Sequence, residues 1–286
     1  QACSSTASAT NVPFAGATLL APSQTRTHRY VGVANLRWDI TDGHAVRVGF
    51  TYDRARHRQT GEVMPVQLNG EPFDVFPVND PMVDANGVVM QKRNRLSYAT
   101  LAQVSGEYRG EFLDGNLVTT LGVRAPFFKR DLNNYCFTTS ETGNLDCLSE
   151  AQTPGYATAN PTIQGPQQRV FKYDEVLPAA GLVYKFGPSM SVFANYSKGL
   201  QVPGTDSLYN AFFFAPNTPS ARPTPETSDN FDLGLRYRSS KIQAQLSGWF
   251  TKYNDRLASA YDPETDRNVY RNLARVDKYG IDGSIS

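Results

Sequence analysis

Residues 45–56 read AVRVGFTYDRAR, and apolar side chains alternate with polar ones along this stretch. The apolar members of the alternation are Val46, Val48, Phe50 and Tyr52. A period of two over about ten residues predicts a β-strand with one apolar and one polar face. The segments 30–40, 230–238 and 242–251 alternate in the same way. The chain is therefore predicted to be built from long strands of this kind.

Short turns and long polar stretches separate these strands in a regular order. The short turns lie at 41–44, 113–116, 187–189 and 239–241. The long stretches lie at about 56–94, 131–170, 199–226 and 258–267. The order predicts strand pairs at 28–41 with 45–56, 96–110 with 117–130, 171–186 with 190–198 and 228–238 with 242–255, then a last strand from about 269. This makes about nine strands in all.

Short turns at one end of the strands and long loops at the other are typical of transmembrane β-barrels of the bacterial outer membrane. A soluble β-sandwich is the alternative, but its strands have about five or six residues and its loops are short at both ends. The predicted fold class is all-β, an antiparallel transmembrane β-barrel. Its apolar faces, around 46–52 and 242–250, are predicted to contact outer-membrane lipid, and its polar faces to line the lumen.

The composition narrows the classes of function. The chain has 286 residues and a formal net charge of +1, which gives no support for a nucleic-acid partner. Hydrophobic residues make up 40% and mean hydropathy is −0.43, values that a barrel tolerates because only alternate strand residues face lipid. No apolar run approaches the length of a transmembrane helix. The 15 Tyr and 16 Phe suit interfacial girdles and stacking surfaces.

The cysteines point to an oxidising compartment. Cys136 and Cys147 lie in one long loop, in NNYCFTTSETGNLDCLS, at a spacing that closes a small ring. A disulfide between them is predicted and would contribute about 3 kcal/mol through loop closure. Cys3 has no partner in sight, so its partner is expected outside this sequence.

Catalytic and metal-binding patterns are not found in the sequence. Its three histidines, His28, His44 and His57, are dispersed, and the nucleophile-elbow, P-loop, zinc-protease and paired-cysteine motifs are missing. We therefore predict that the chain is not an enzyme, and that it has no catalytic residue, metal ligand or cofactor. The charged residues of the polar strand faces have two interpretations, a network of lumen salt bridges or a surface that meets an anionic ligand.

The stretch VFANYSKGLQVPGTDSLYNAFF (192–213), followed by PTPETSDNFDLGLRYRS (223–239), resembles the late barrel strands of TonB-dependent outer-membrane receptors. The residues that carry the resemblance are Ser197, Gly199, Pro203, Pro225, Glu226, Asn230, Gly234 and Arg236. Their order and spacing, over about 171–286, are more specific than any single motif. The resemblance implies a 22-stranded barrel in the outer membrane of a Gram-negative bacterium, plugged by an N-terminal domain with a short energy-coupling box.

Plug, box and terminal strand are not recognisable here, so residues 1–286 are expected to form part of such a barrel, with long extracellular loops. By the same resemblance, the TonB–ExbB–ExbD complex is the expected partner, acting through the missing plug. The implied function is active uptake of a scarce, bulky ligand, a ferric siderophore or ferric citrate, with iron present only inside the chelate. Uptake of carbohydrate, peptide or cobalamin, and a passive porin or adhesin, are the alternatives.

The ligand is predicted to meet the wall that begins with the loop 199–226 and continues along the next hairpin. Long loops on a rigid scaffold are where recognition residues concentrate. Aromatic rings would stack against the ligand, and cations would pair with its oxygens. The predicted ligand-binding residues are Lys198, Tyr209, Phe212, Phe213, Trp249, Tyr253, Tyr261, Arg267 and Arg271.

Overall fold

A computed structural model describes residues 19–67, 69–138, 145–262 and 267–286. Cys3 lies outside them, as do the side chains of Tyr261, Arg267 and Arg271. The strands are β1 (Leu19–Leu20), β2 (Gln24–Thr41), β3 (His44–Glu62), β4 (Met64–Pro65), β5 (Gln91–Phe112), β6 (Leu117–Asn134), β7 (Phe137–Thr138), β8 (Leu145–Asp146), β9 (Gln167–Asp174), β10 (Leu177–Phe186), β11 (Met190–Gln201), β12 (Glu226–Arg238), β13 (Gln243–Asp262) and β14 (Arg267–Ile285). The helices are α1 (Thr153–Ala159) and α2 (Thr205–Asn210), with 3₁₀ turns at Ala211–Phe213 and Pro219–Ala221.

One large antiparallel sheet dominates the structure, in the order β14-β13-β12-β11-β10-β6-β5-β3-β2, and β9 also pairs with β6. The predicted all-β antiparallel fold is confirmed. Strands β9 and β10 continue each other along β6, and the ladder between them is interrupted where Glu175 faces Pro126. Proline has no N–H to donate, so this gap in the ladder is expected. Among the described strands, β2 and β14 each pair with one neighbour and form the two edges.

The strands are longer at the loop end than the sequence pattern predicted. Strand β3 runs to Glu62 and β6 to Asn134, and β13 and β14 stay paired as far as Asp262 and Arg267. The predicted loop at 258–267 is therefore mostly a β-hairpin arm. Toward the loops, past the rows in which one face carries apolar side chains (the apolar band), polar residues occur on both faces of a strand, so its composition resembles that of a loop. Alternation of polarity does not distinguish the two there.

The register of the strands aligns apolar side chains in continuous rows on one side of the sheet and polar side chains in rows on the other. One continuous apolar row consists of Trp38, Val46, Tyr108, Leu121, Ala180, Tyr196, Phe231, Phe250 and Tyr279. The neighbouring row on the other face consists of Arg37, Arg47, Glu107, Gly122, Ala179, Ser197, Asn230, Thr251 and Lys278. We call the two sides of the sheet the apolar face and the polar face.

Tight turns close the hairpins at the end of the sheet opposite the long loops. Gly43 and Gly115 have φ of +87° and +80°, and Leu113 and Asp114 also adopt positive φ. These two turns use left-handed conformations to reverse the chain within a few residues, and glycine adopts such conformations without steric cost. No helix in the described ranges is long and apolar enough to cross a membrane.

Cys136 and Cys147 form a disulfide, with their Cα atoms 4.4 Å apart, and this prediction is confirmed. Cys136 is almost fully buried and precedes the short strand β7. Strand β7 pairs with β8, which ends just before Cys147. The bridge therefore fastens the base of a small two-stranded excursion in the loop between β6 and β9.

Replacing both cysteines by serine in the full-length protein is expected to lower the free energy of unfolding by about 3 kcal/mol, since the open ring gains conformational freedom. Cys3→Ser is the control and should have no effect on this loop. Mass spectrometry of non-reduced peptides should recover residues around 136 and 147 as one linked species. Recovery of both thiols in alkylated form without reductant would contradict the bridge.

Candidate functional site

The segment between β11 and β12 folds back onto the polar face of the sheet. Its side chains join those of β6 and β9 in a small apolar core. The core consists of Leu132, Tyr173, Leu208, Tyr209 and Phe212, with Phe128, Phe171 and Val202 packed against it. Burial of each large side chain contributes roughly 1.5–3 kcal/mol. The loop is therefore held against the wall by hydrophobic packing.

Hydrogen bonds to the loop backbone reinforce this packing. The Arg169 guanidinium donates to the carbonyl oxygens of Ala211 at 2.6 Å and Phe214 at 2.7 Å. The Tyr173 hydroxyl donates to the carbonyl oxygen of Pro223 at 3.0 Å. A single arginine thus binds two carbonyl groups at the end of a short 3₁₀ turn, where the Ala211 oxygen also accepts from the Phe214 N–H. Because the bonds come from β9, the loop is fixed both near its middle and near its end.

Arg95 lies beneath the loop at the start of β5. Its guanidinium carbon is 4.2 Å from the centre of the Tyr209 ring, and its Nη1 is 3.7 Å from the Asp206 carboxylate. The Tyr209 hydroxyl donates to the carbonyl oxygen of Asn133 at 3.1 Å. Burial raises the pKa of Tyr209 to about 12, so the phenol stays neutral at physiological pH. A neutral ring over a buried cation is a favourable cation–π arrangement.

Further cations lie on the polar face around this loop. Arg93, Arg95 and Arg130 each keep a buried Nε atom without a hydrogen-bond partner among the described residues. Arg130 lines a cavity of about 160 Å³. The polar side chains Thr27, His57 and Ser97 also line this cavity. The unsatisfied Arg130 donor beside this cavity favours an anion or water.

Ion pairs occupy the polar face nearer the tight turns. Arg37 pairs with Asp39 at 2.6 Å, Arg47 with Glu107 at 3.5 Å and Arg109 with Glu111 at 2.7 Å. These pairs are exposed, so each contributes little to stability. Near the tight turns the charged residues therefore fit the interpretation as a salt-bridge network. Around the loop, Arg93 and Arg130 do not, since neither forms an ion pair with a described residue.

The predicted site residues fall into two groups that differ in exposure. Tyr209 and Phe212 are 1% and 0% exposed, so neither offers a free ring face to a ligand. This corrects the expectation that they form a stacking surface, because both rings are used to hold the loop. Phe213 is partly buried in the same 3₁₀ turn. Lys198 lies in register with Asp229, on the apolar-face side, and its Nζ is 3.2 Å from Glu175.

The other predicted residues lie along β13 and β14. Trp249 is on the polar face, in register with Asp232 and with Gly280, where a Cβ atom would come within 2.7 Å of the indole. Tyr253 lies four residues further on, between the cations of Arg256 at 4.6 Å and Lys278 at 5.4 Å from its ring centre. In backbone register, Tyr261, Arg267 and Arg271 belong to the arm that extends β13 and β14. These residues therefore form a second group, separate in sequence and strand from the loop core.

Arg169 has the clearest role that sequence reasoning missed. Strand β9 has the alternation Gln167, Arg169, Phe171, Tyr173 on the polar face. That alternation could have placed Arg169 on the same face as the rings of Phe171 and Tyr173. Its carbonyl partners, 42 and 45 residues away, could not be inferred from the pattern.

Comparison with known proteins identifies the family. The sequence matches the family described as TonB dependent receptor-like, beta-barrel, over residues 4–286. The structure is similar to the copper transporter OprC, with TM-score 0.61 and 16% identity over 92% of this chain and 35% of that one. It is similar to the unliganded ferric citrate transporter FecA, with TM-score 0.58 and 16% identity over 93% and 32% of the two chains.

The ferric-catecholate import receptor Fiu from E. coli K12 has TM-score 0.56 and 13% identity over 92% of this chain and 36% of its own. At such identities the similarity shows a common fold. The chain spans about a third of the length of these structures. The family match confirms the resemblance predicted from the late strands. Since it covers nearly the whole chain, the protein belongs to the TonB-dependent receptor β-barrel family.

Proposed function

We propose that this chain forms part of the wall of an outer-membrane active transporter that binds and imports a ferric siderophore or ferric citrate. The observation that carries the proposal is the set of arginines on the polar face around the docked loop, several with unpartnered donors. Ferric citrate and siderophore chelates present carboxylate, catecholate or hydroxamate oxygens. Guanidinium groups bind such oxygens through charge-assisted hydrogen bonds. Two of the similar structures are a ferric citrate transporter and a ferric-catecholate import receptor, which supports this class.

In this proposal the binding residues are divided between the two groups of the wall. Arg130 lines the small cavity beside the loop. Tyr253, Arg267 and Arg271 belong to the β13–β14 hairpin, with Trp249 at its base, Tyr261 on its arm and Phe213 on the neighbouring loop. Lys198 is left out of the proposed site, because it lies on the apolar-face side and pairs with Glu175. Tyr209 and Phe212 act by positioning the loop. The protein has no catalytic role, and iron enters only as part of the imported chelate.

The remaining parts of the transporter are also proposals. The energy for uptake comes from the TonB–ExbB–ExbD complex, acting through a plug domain that occupies the polar face. The apolar face contacts lipid of the outer membrane in a Gram-negative bacterium. A passive porin with the same wall would not depend on this complex, and this difference gives a decisive test.

The test is uptake of radiolabelled ferric citrate and of a ferric catecholate by cells that express the full-length receptor in a deletion background. We expect accumulation above the deletion strain, abolished by a protonophore or by loss of TonB. Accumulation that survives both treatments would indicate a passive pore. If neither chelate is taken up but cobalamin, a peptide or an oligosaccharide is, the proposed ligand class is wrong.

Tyr253→Ala combined with Arg271→Gln is expected to weaken chelate binding about tenfold to a hundredfold, since charge-assisted hydrogen bonds contribute about 1.5–3 kcal/mol. The matched control is Lys252→Gln, which removes a cation next to Tyr253 but on the apolar-face side. Binding is measured with the purified full-length receptor by quenching of its intrinsic fluorescence. If the double variant and the control bound the chelate with equal affinity, Tyr253 and Arg271 would not be binding residues, and the site would have to be sought near Arg130 or on the plug.

A further inference from the structure

Two rows of charged residues on the apolar-face side of the sheet have different charge patterns. On β11 to β14, the row just beyond the apolar band reads Lys198, Asp229, Lys252, Asp277. Opposite signs alternate, so neighbouring strands neutralise one another. On β2 to β9, the comparable row reads Tyr30, Arg54, Thr100, Lys129, Lys172. It has three cations and no carboxylate.

Lys129 and Lys172 are direct register partners on adjacent strands. Like charges at such positions are destabilising unless something neutralises them. Neither lysine forms an ion pair with a residue in the described part of the chain. Both are exposed, as is Arg54, whose guanidinium carbon is 5.5 Å from the centre of the Tyr98 ring. These cations are therefore open to an external anion.

The next rows toward the loops add more cations than carboxylates. Arg56 and His28 are register partners, and so are Arg58 and Arg26. The carboxylates on this side are Asp131, whose Oδ1 accepts from Gln168 at 2.6 Å, and Asp174, next to Lys172 along β9. We call Arg26, Arg54, Arg56, Arg58, Lys129 and Lys172 the basic band. It retains a net positive charge with both carboxylates included.

The position of the basic band relative to the apolar band defines its environment. Tyr52 and Phe127 lie two residues nearer the tight turns and are exposed, as expected for an aromatic girdle at a membrane surface. Cations just outside such a girdle lie at the depth of lipid headgroups. Because the long loops of these barrels are extracellular, the band faces the outer leaflet. Three strand spacings separate Arg54 from Lys172, a distance of about 14 Å.

We propose that the basic band binds the phosphate groups of a diphosphorylated glucosamine glycolipid of the lipid A type in the outer leaflet. Lys129 and Lys172 hold one phosphate between adjacent strands, and Arg54 and Arg56 hold the second, while the acyl chains lie along the apolar band. The spread of the cations over four strands fits two separated phosphates better than a single one. This inference rests on the outer-membrane location proposed above and not on the identity of the imported ligand.

The test measures binding of purified lipid A to the full-length receptor in neutral detergent by native mass spectrometry. Lys129→Gln with Lys172→Gln is expected to weaken binding at least about tenfold, since each cation near an anionic lipid surface contributes about 1 kcal/mol. Arg54→Gln with Arg56→Gln is a second variant with the same expectation. Lys252→Gln, in the neutralised row, is the matched control and should bind like wild type. Heat-modifiable electrophoretic mobility verifies that each barrel is folded.

Wild-type affinity in both double variants would overturn the proposal. So would equal binding of dephosphorylated lipid A, which would indicate that the acyl chains alone are recognised. Equal binding of phosphatidylglycerol, or full competition by inorganic phosphate, would overturn the assignment to a diphosphorylated glycolipid. No transported ligand is present in this lipid-binding assay. Its result can therefore be interpreted even if the proposed uptake of ferric chelates proves wrong.

Discussion

Arginine in place of Val48 or Leu246 is expected to destabilise the folded protein in a bilayer by about 2–4 kcal/mol. Both side chains lie on the apolar face and are 49% and 56% exposed in the chain alone. In a membrane that exposed surface meets hydrocarbon, where a guanidinium loses its hydration. The matched control is Gln245→Arg, because Gln245 is next to Leu246 in the chain but lies on the polar face. It loses one hydrogen bond from Arg236, at 3.0 Å, worth about 1 kcal/mol.

This difference is measured by urea titration of the full-length receptor in phospholipid vesicles, with electrophoretic mobility as the readout of folding. Val48→Arg and Leu246→Arg should shift the midpoint strongly, and Gln245→Arg only slightly. If all three variants inserted and unfolded like wild type, the assignment of the apolar face to lipid would be wrong. If Gln245→Arg were the most destabilising of the three variants, the polar face and not the apolar face would be the one that contacts lipid.

Phe212→Ala is expected to release the loop between β11 and β12 from the polar face. The ring is fully buried in the loop core, and the Arg169 guanidinium carbon lies 4.7 Å from its centre. Truncation of a buried phenylalanine costs about 3–5 kcal/mol. Because the loop core is small and separate from the ladder, this loss should appear as local opening and leave the barrel strands paired.

Limited proteolysis and hydrogen exchange of the full-length receptor measure this opening. Residues 202–225 should become sensitive in Phe212→Ala while the strands stay protected. Phe214→Ala is the control, since that ring is 40% exposed and should leave the loop protected. A loop that stays protected in Phe212→Ala would mean that the hydrogen bonds of Arg169 and Tyr173 hold it without the core.

Much of the fold could be predicted from local patterns. The alternation in 45–56 identifies a strand and assigns each side chain to one of two faces, because successive residues of a strand point to opposite sides. The turn at 41–44 requires a positive φ, which Gly43 has. Cys136 and Cys147 are close in sequence, so their bridge follows from spacing and compartment. Each of these features depends on residues within about one strand and turn.

Other features depend on residues far apart in the chain and were decided only by tertiary structure. The sequence shows that Tyr209 and Phe212 are aromatic residues of a predicted loop. It does not show that they pack against Leu132 and Tyr173 on other strands. The like-charged pair of Lys129 and Lys172 exists only because β6 and β9 pair in one particular register. Register and loop docking are set by long-range contacts, whose partners a period of two does not specify. The sequence alone therefore determined the faces of the sheet, and the tertiary structure determined which residues meet on them.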